Sequence, residues 1–220
     1  MSLKQLLNNR ASVRAYTDEP IEQDQLEQLF SVAQHSISNC NVQPWQSYVV
    51  SGQMKDRLKK ALVSEVLSGK PPQPEFDWLP KYQGKHRERQ FGSANALYSA
   101  MDIERSDKPA RQASMLRNWT FFDAPQVVFF CMEKYLGIMG AVDMGIYAQT
   151  LSLLMSEAGI SSCMQGALGQ FPGPAKELLN ISDDVGILFG MSFGYADKEA
   201  KVNQARTERE TISQSVIFCD

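Results

Sequence analysis

Cysteine, histidine and long apolar stretches are all scarce in this chain. Its four cysteines (Cys40, Cys131, Cys163 and Cys219) are scattered, with no C-x-x-C pair. That argues against a metal site or a disulfide framework and for reduced, buried thiols. Two histidines, His35 and His86, leave little room for a histidine metal cage or a two-histidine mechanism. A glycine-rich G-x-G-x-x-G loop is missing, which argues against tight, dedicated dinucleotide binding. The net charge of −3 is the wrong sign for a nucleic-acid partner. No apolar run is long enough to span a bilayer. The N-terminus opens on a polar helix instead of an apolar signal region, so a cytoplasmic protein is expected. No repeat, low-complexity tract or long linker divides the chain.

What is present is an ordinary core-forming composition. The chain has 220 residues, 43% hydrophobic and 21% charged, enough for one domain spanning 1–220. Leu3, Leu6 and Leu7 give a helical stripe that fades at Asn8-Asn9. Helices are predicted over about 21–35, 55–67, 83–101, 108–122 and 140–157, with a short one over 174–179. Strands are predicted over 46–50, 126–132 and 185–195, the last two apolar enough to be buried on both faces. Gly190 and Gly194 in the last strand mark close packing. The 140–157 helix is apolar nearly all round and should be buried. Residues 212–218 have the composition of another strand.

Two polar stretches stand out. Arg10-Ala11-Ser12-Val13-Arg14 should run extended, with Arg10, Ser12 and Arg14 on one face over about 13 Å. Two guanidiniums and a hydroxyl on one face suit an anion. Ser38-Asn39-Cys40-Asn41-Val42-Gln43-Pro44-Trp45 is a polar loop between a helix and a strand. Read alone, it is equally well a plain connector. Further on, Gly69 to Tyr82 is a long connection with Phe76, Trp78 and Tyr82 among prolines, and Lys81, Lys85, Arg87 and Arg89 make the region that follows basic. That run reads either as a solvated helix face or as a site attracting an anionic aromatic.

Taken together, Arg-x-Ser-x-Arg-x-Tyr followed by a helix and Ser-x-x-Asn-x-Gln-Pro-Trp resembles the nitroreductase family of FMN-dependent oxidoreductases, in particular its nitrobenzoate reductase-like branch. The family usually has proline where this chain has Ile37. The resemblance runs nearly end to end and implies an α+β fold: a central mixed sheet of four or five strands flanked by helices. It also implies an intertwined homodimer with C-terminal edge-strand exchange, in which residues 196–220 extend toward the partner. FMN would be bound by Arg10, Ser12, Arg14, Ser38, Asn39 and Asn41, by Asn118 or its neighbour Arg117, by the Gln165-Gly166 backbone, and by Arg206 and Arg209. Segment 70–92 would cover the site, with Trp78, Tyr82 and Arg87 at the substrate pocket. NAD(P)H would visit as a transient donor, giving hydride to flavin N5. A flat aromatic acceptor, a nitroaromatic or quinone, would then take the electrons by ping-pong, with no catalytic side chain and no metal. Two alternatives are a flavoprotein of this fold with other chemistry (dehalogenation, flavin destruction, heterocycle dehydrogenation) and a non-enzymatic binder of a phosphate-bearing ligand.

Overall fold

The computed structural model describes residues 2–77 and 81–219. Its centre is a four-stranded sheet of β1 (Gln46–Ser51), β2 (Gln126–Glu133), β3 (Ser161–Gln165) and β4 (Val185–Gly194), in the order β1-β2-β4-β3. All three ladders are antiparallel, where a mixed sheet was expected. Parallel pairing enters as a single bridge, Ser12 to Ser162, at the β3 edge. β3 itself lies in a stretch that reads as a loop.

Alternation along β2 divides the core. Val128, Phe130 and Met132 face one way, and Val127, Phe129 and Cys131 the other, as the two-residue period of a strand requires. On the first face lie α2 (Gln23–Ala33) and α6 (Gly137–Glu157), contributing Leu26, Ala33, Met144, Tyr147, Leu151 and Met155. On the second lie α3 (Gly52–Leu67) and α7 (Gly173–Leu179), with Leu58, Leu62 and Ala175. The central strands β2 and β4 are buried along nearly their whole length. A Cβ on Gly190 would sit 2.5 Å from Leu168 Cδ1, and one on Gly194 would sit 2.7 Å from Pro125 Cδ. Both glycines therefore mark close packing.

Helix α6 differs in two ways from its sequence reading. With its lead-in turn, Lys134–Glu157 is long and apolar enough to cross a membrane by length and composition, although no such run was expected. Its contacts with α2, β2 and β3 are those of a core helix. It is also not buried all round: Ile138 (81%), Met139 (49%) and Val142 (51%) are exposed.

Three further elements position the site. α1 (Leu3–Asn9) starts in a capping box, Ser2 with Gln5, and the chain then runs extended. α4 (Gly84–Ala100) buries none of its residues. α5 (Lys108–Leu116) stops six residues before the predicted end at 122. Beyond it Phe121, Phe122 and Asp123 take φ values of +59°, +54° and +59°, which no right-handed helix can continue. The C-terminal segment makes a single short turn, Ile212–Gln214, in place of the predicted strand.

Candidate functional site

Residues 10–16 form the floor of the site. The Val13 N–H donates to Ser162 O (3.1 Å) and the Thr17 N–H to Tyr195 O (2.9 Å), fixing the segment along β3 and the end of β4. Val13 and Tyr16 turn inward and are buried. The Tyr16 hydroxyl donates to Val13 O (2.7 Å) and Ser192 O (3.1 Å). Burial, with Cys163 nearby, pushes the Tyr16 phenol well above its ordinary pKa against the pull of Arg14. Arg10, Ser12 and Arg14 line a cavity of 260 Å³, the common face predicted for them.

Arg206 and Arg209 line the same cavity, with Ser93, Leu97 and Thr207. The sequence places these arginines about 190 residues from the first three site residues, and the fold joins them. Four guanidiniums converge there and no lining residue among those described is an aspartate or glutamate. Their local partners are neutral. Arg14 Nη1 donates to Ser12 O (3.3 Å), and Arg206 Nη1 to Asn203 O (2.7 Å) and Ala205 O (2.9 Å). Arg209 Nη1 donates to Thr207 Oγ1 (2.8 Å). Carbonyls orient these cations without neutralising them, which leaves their charge for an anion such as a phosphate.

Arg14 and Leu97 also border a second cavity, of 210 Å³, with Tyr98, Arg117, Asn118 and Phe122. Asn118 and Arg117 both reach it, so the structure keeps both candidates. Asn118 Nδ2 donates to Met115 O (3.0 Å), and Arg117 lies 3.8 Å from Asp123. Gln165, 2% exposed, donates from Nε2 to Asn118 O (2.8 Å) and accepts from the Ser192 hydroxyl. Its side chain is committed inside the protein. What it can offer a ligand is backbone, where the chain turns at Gly166 into a short helical turn.

Ser38, Asn39 and Asn41 lie elsewhere. Neither arginine-bordered cavity takes a residue from 38–43. This loop holds three left-handed residues, Cys40, Asn41 and Gln43, with φ of 49°, 57° and 47°. Such conformations persist only where the surroundings enforce them. Ser38 Oγ accepts from the Gln43 N–H (3.0 Å), and Asp143 Oδ1 on α6 accepts from the Asn39 N–H (3.0 Å). Trp45 is pinned by Gln34 Oε1 (2.8 Å) and stacks on Tyr147 at 4.8 Å. The loop is thus held without the family's proline, and Ile37 points outward, 74% exposed. Asp143 was missed because it is one acid within an apolar helix.

Of the substrate-pocket residues, Trp78 falls outside the described residues. Tyr82 is 47% exposed and Arg87 rests on Phe91, 5.3 Å from its centroid. Neither lines the two cavities above. A wider cleft of 890 Å³ opens between α4 and residues 206–210, bordered by Lys85 and Arg89 as well as Arg206 and Arg209. Arg89 there pairs with Glu210 at 2.7 Å. Ahead of it, segment 70–77 is anchored by Glu75, which accepts from Lys176 (2.9 Å) and the Ile187 N–H (2.8 Å), and by Phe76 against Gly186.

Comparison with known proteins gives a consistent answer. The family model described as "Nitroreductase family" matches residues 7–195. Nitroreductase NfnB of Mycolicibacterium smegmatis is 34% identical over 98% of this chain and 92% of its own length. A 4-nitrobenzoate reductase of Pseudomonas putida is 32% identical over 92% of this chain and 88% of its own length. Among solved structures, an FMN- and NADPH-dependent nitroreductase NfnB from Sphigopyxis sp. strain HMH superposes with a TM-score of 0.96 at 32% identity, covering 100% of both chains. With sequence and fold alike matched from end to end, the chain belongs to the nitroreductase family.

Proposed function

We propose that this protein is an FMN-dependent oxidoreductase that takes hydride from NAD(P)H and reduces flat, electron-poor acceptors such as nitroaromatics and quinones. The observation that carries the reading is the cavity where Arg10, Arg14, Arg206 and Arg209 meet with no acidic lining residue. Relatives described as nitroreductases, one of them solved with NADPH, support it.

Arg10, Ser12, Arg206 and Arg209, which line one cavity, would hold the phosphate of FMN. Arg14, at the border of both cavities, would lie near the pyrimidine edge of a bound ring, where a cation would stabilise negative charge. Asn118 or Arg117 adds a ring contact, and the backbone at Gln165-Gly166 approaches closely because glycine carries no Cβ. FMN, when bound, supplies the hydride-carrying chemistry. The protein's part is placement, electrostatics and exclusion of water, so no side chain has to serve as nucleophile or base.

Ser38, Asn39 and Asn41 complete the site from a second copy of the chain. Ile138, Met139 and Val142 on α6, with Ile37 and Val42 beside the loop that Asp143 ties to α6, expose large apolar side chains. Exposed apolar groups in such number mark an interface, and a two-fold dimer would form two identical sites. The exposed C-terminal Ile217 and Phe218 would reach across to the partner. A nicotinamide donor of this kind is drawn from the cytoplasm.

The test is the visible spectrum of the purified protein before and after anaerobic NADPH. Flavin bands that bleach support both cofactor and donor. A colourless protein that takes up no added FMN overturns the reading.

A further inference from the structure

The two parts of the chain that meet in the arginine cavity are joined by backbone pairing, Thr17 N–H to Tyr195 O (2.9 Å) and Asp197 N–H to Ala15 O (3.1 Å), and by one side-chain amide. Asn203, half-buried in the short helical turn Lys201–Gln204, uses its whole side chain. Its Oδ1 accepts from the Arg14 N–H at 2.7 Å. The two hydrogens of Nδ2 go to Ala15 O and Asp197 O, both at 2.8 Å. The partners fix the amide's orientation, because one is a donor and two are acceptors. The same residue's backbone carbonyl accepts from Arg206 Nη1 at 2.7 Å. Asn203 therefore grips the backbone beside Arg14 with its side chain and the Arg206 guanidinium with its main chain.

We propose that Asn203 is a positioning residue for the phosphate cradle. It sets the spacing between the extended segment that carries Arg10, Ser12 and Arg14 and the segment that carries Arg206 and Arg209. This rests on the flavin reading above and names a residue for it that touches neither flavin nor substrate.

The surroundings show why one amide matters so much. The ion pairs that also tie this segment down, Lys201–Asp102 and Arg89–Glu210, are exposed at both ends, and such pairs hold weakly. Residues 206–210 are themselves exposed. Backbone pairing ends at Asp197 N–H on Ala15 O; beyond it, three directional hydrogen bonds at Asn203, next to buried Val202, hold the turn from which Arg206 and Arg209 approach. Only an amide fits. Alanine would drop all three bonds. Aspartate would keep the acceptor for the Arg14 N–H but set its other oxygen against two carbonyl oxygens, which are acceptors too.

The experiment compares apo wild type, Asn203→Ala, Asn203→Asp and, as a same-turn control, Gln204→Ala. FMN and riboflavin are titrated by flavin fluorescence, and the melting temperature of each apo form is recorded. Expected for Asn203→Ala is an FMN Kd raised about 10- to 100-fold, the loss of a few hydrogen bonds' worth of preorganisation. Riboflavin, which lacks the phosphate, should be affected far less, so the preference for FMN shrinks. Asn203→Asp should be at least as damaged, Gln204→Ala unchanged, and kcat at saturating FMN should return to within about twofold of wild type, because placement and not chemistry was lost. A folded Asn203→Ala with a lower melting temperature but wild-type FMN affinity overturns the proposal, as does an equal loss for FMN and riboflavin. Should Asn203→Ala not fold, Asn203→Ser, which keeps a hydroxyl for the Arg14 N–H, carries the same comparison, and an unmoved FMN-to-riboflavin ratio there is equally fatal. Wild type that takes up no FMN removes the flavin reading and this inference together, an outcome distinct from either.

Discussion

Arg14 and Arg117 share one aromatic ring. Their guanidinium carbons lie 5.9 Å and 6.0 Å from the centroid of Phe122, which is itself buried and held at a left-handed φ of +54°. Two like charges converge on one platform at the wall of the second cavity. Asp123, 3.8 Å from Arg117, also pairs with Lys59 and offsets them only in part. Both arginines line that cavity, so a group there that gains negative charge on reduction would feel their charge. Arg14→Ala should weaken FMN binding about tenfold or more and make the flavin potential more negative, by about 30 mV for each tenfold difference in affinity between the two redox forms. Equilibrium titration and redox potentiometry check this. Unchanged flavin content together with an unchanged potential would remove Arg14 from the site.

Ile138 tests the second copy. It is 81% exposed in the first turn of α6, where an acidic side chain is favoured by the helix dipole. Ile138→Asp should therefore fold as a single chain yet fail to pair. Size-exclusion chromatography with light scattering should show a monomer, and FMN affinity should fall at least about tenfold. A dimer of wild-type tightness would move the interface away from this face.

Acid should act first through Glu75. Burial raises its carboxyl pKa, but hydrogen bonds from Lys176, the Ile187 N–H and Lys134 outweigh that and hold it below the ordinary 4.5. A depressed carboxyl contributes stability that is complete above its unfolded value and is lost as pH falls through its folded one. Thermal stability should therefore decline below about pH 4.5, and Glu75→Gln should flatten that decline. At pH 7, Glu75→Ala takes from Lys176, whose side chain is only 14% exposed, its one close ion-pair partner and leaves it Val185 O (2.9 Å) and Asp183 at 3.9 Å. The cost should be about 3 kcal/mol, or roughly 6 to 12 °C in Tm. Calorimetry across pH 3 to 7 decides, and an acid limb equally steep in Glu75→Gln would assign the loss to other carboxyls.

The four thiols should divide two and two. Cys40 and Cys219 are exposed, while Cys131 and Cys163 are buried. Burial, with Glu75 adding to it, pushes the Cys131 thiol up to about 12. Burial also raises Cys163 despite Arg14, Ser12 and Arg10 nearby. The thiolate is the reactive form, so at pH 8 Cys131 and Cys163 should stay unlabelled by a chromogenic disulfide in the native protein. All four should react in denaturant. Fast labelling of Cys163 would mean that the floor beneath Ser12 opens.

Much of the fold was legible because it rests on local pattern. The apolar runs of β2 and β4, the helical spacing of α2, α3 and α6, and the alternation of Arg10, Ser12 and Arg14 each come from a short stretch of residues. β3 was not legible. Ser161 to Gln165 is short and polar, and becomes a strand because the exposed edge of β4 accepts it. The early end of α5 was hidden too. Phe121, Phe122 and Asp123 adopt a conformation their own side chains disfavour, held there by Lys55 on Ala124 O, Lys59 on Asp123 and Gln165 on the Asn118 carbonyl. Within the single chain, residues 212–218 form no strand and Ile212–Gln214 makes a short turn; a strand exchanged between copies takes its pairing from the partner's sheet, which lies outside any pattern of this segment.

The sequence by itself singled out Arg10, Ser12 and Arg14 by type and spacing, and Arg206 and Arg209 through the family resemblance, as the candidates for an anion site. Only the tertiary structure decided that the first three and the last two share a cavity, that the Gln165 side chain is taken up by Asn118 O and Ser192, and that the 38–43 loop stands apart from them. Periodicity is a property of neighbours along the chain, whereas convergence of charges from residues 14 and 206 depends on contacts such as the Asn203 amide, which leave no local pattern to read.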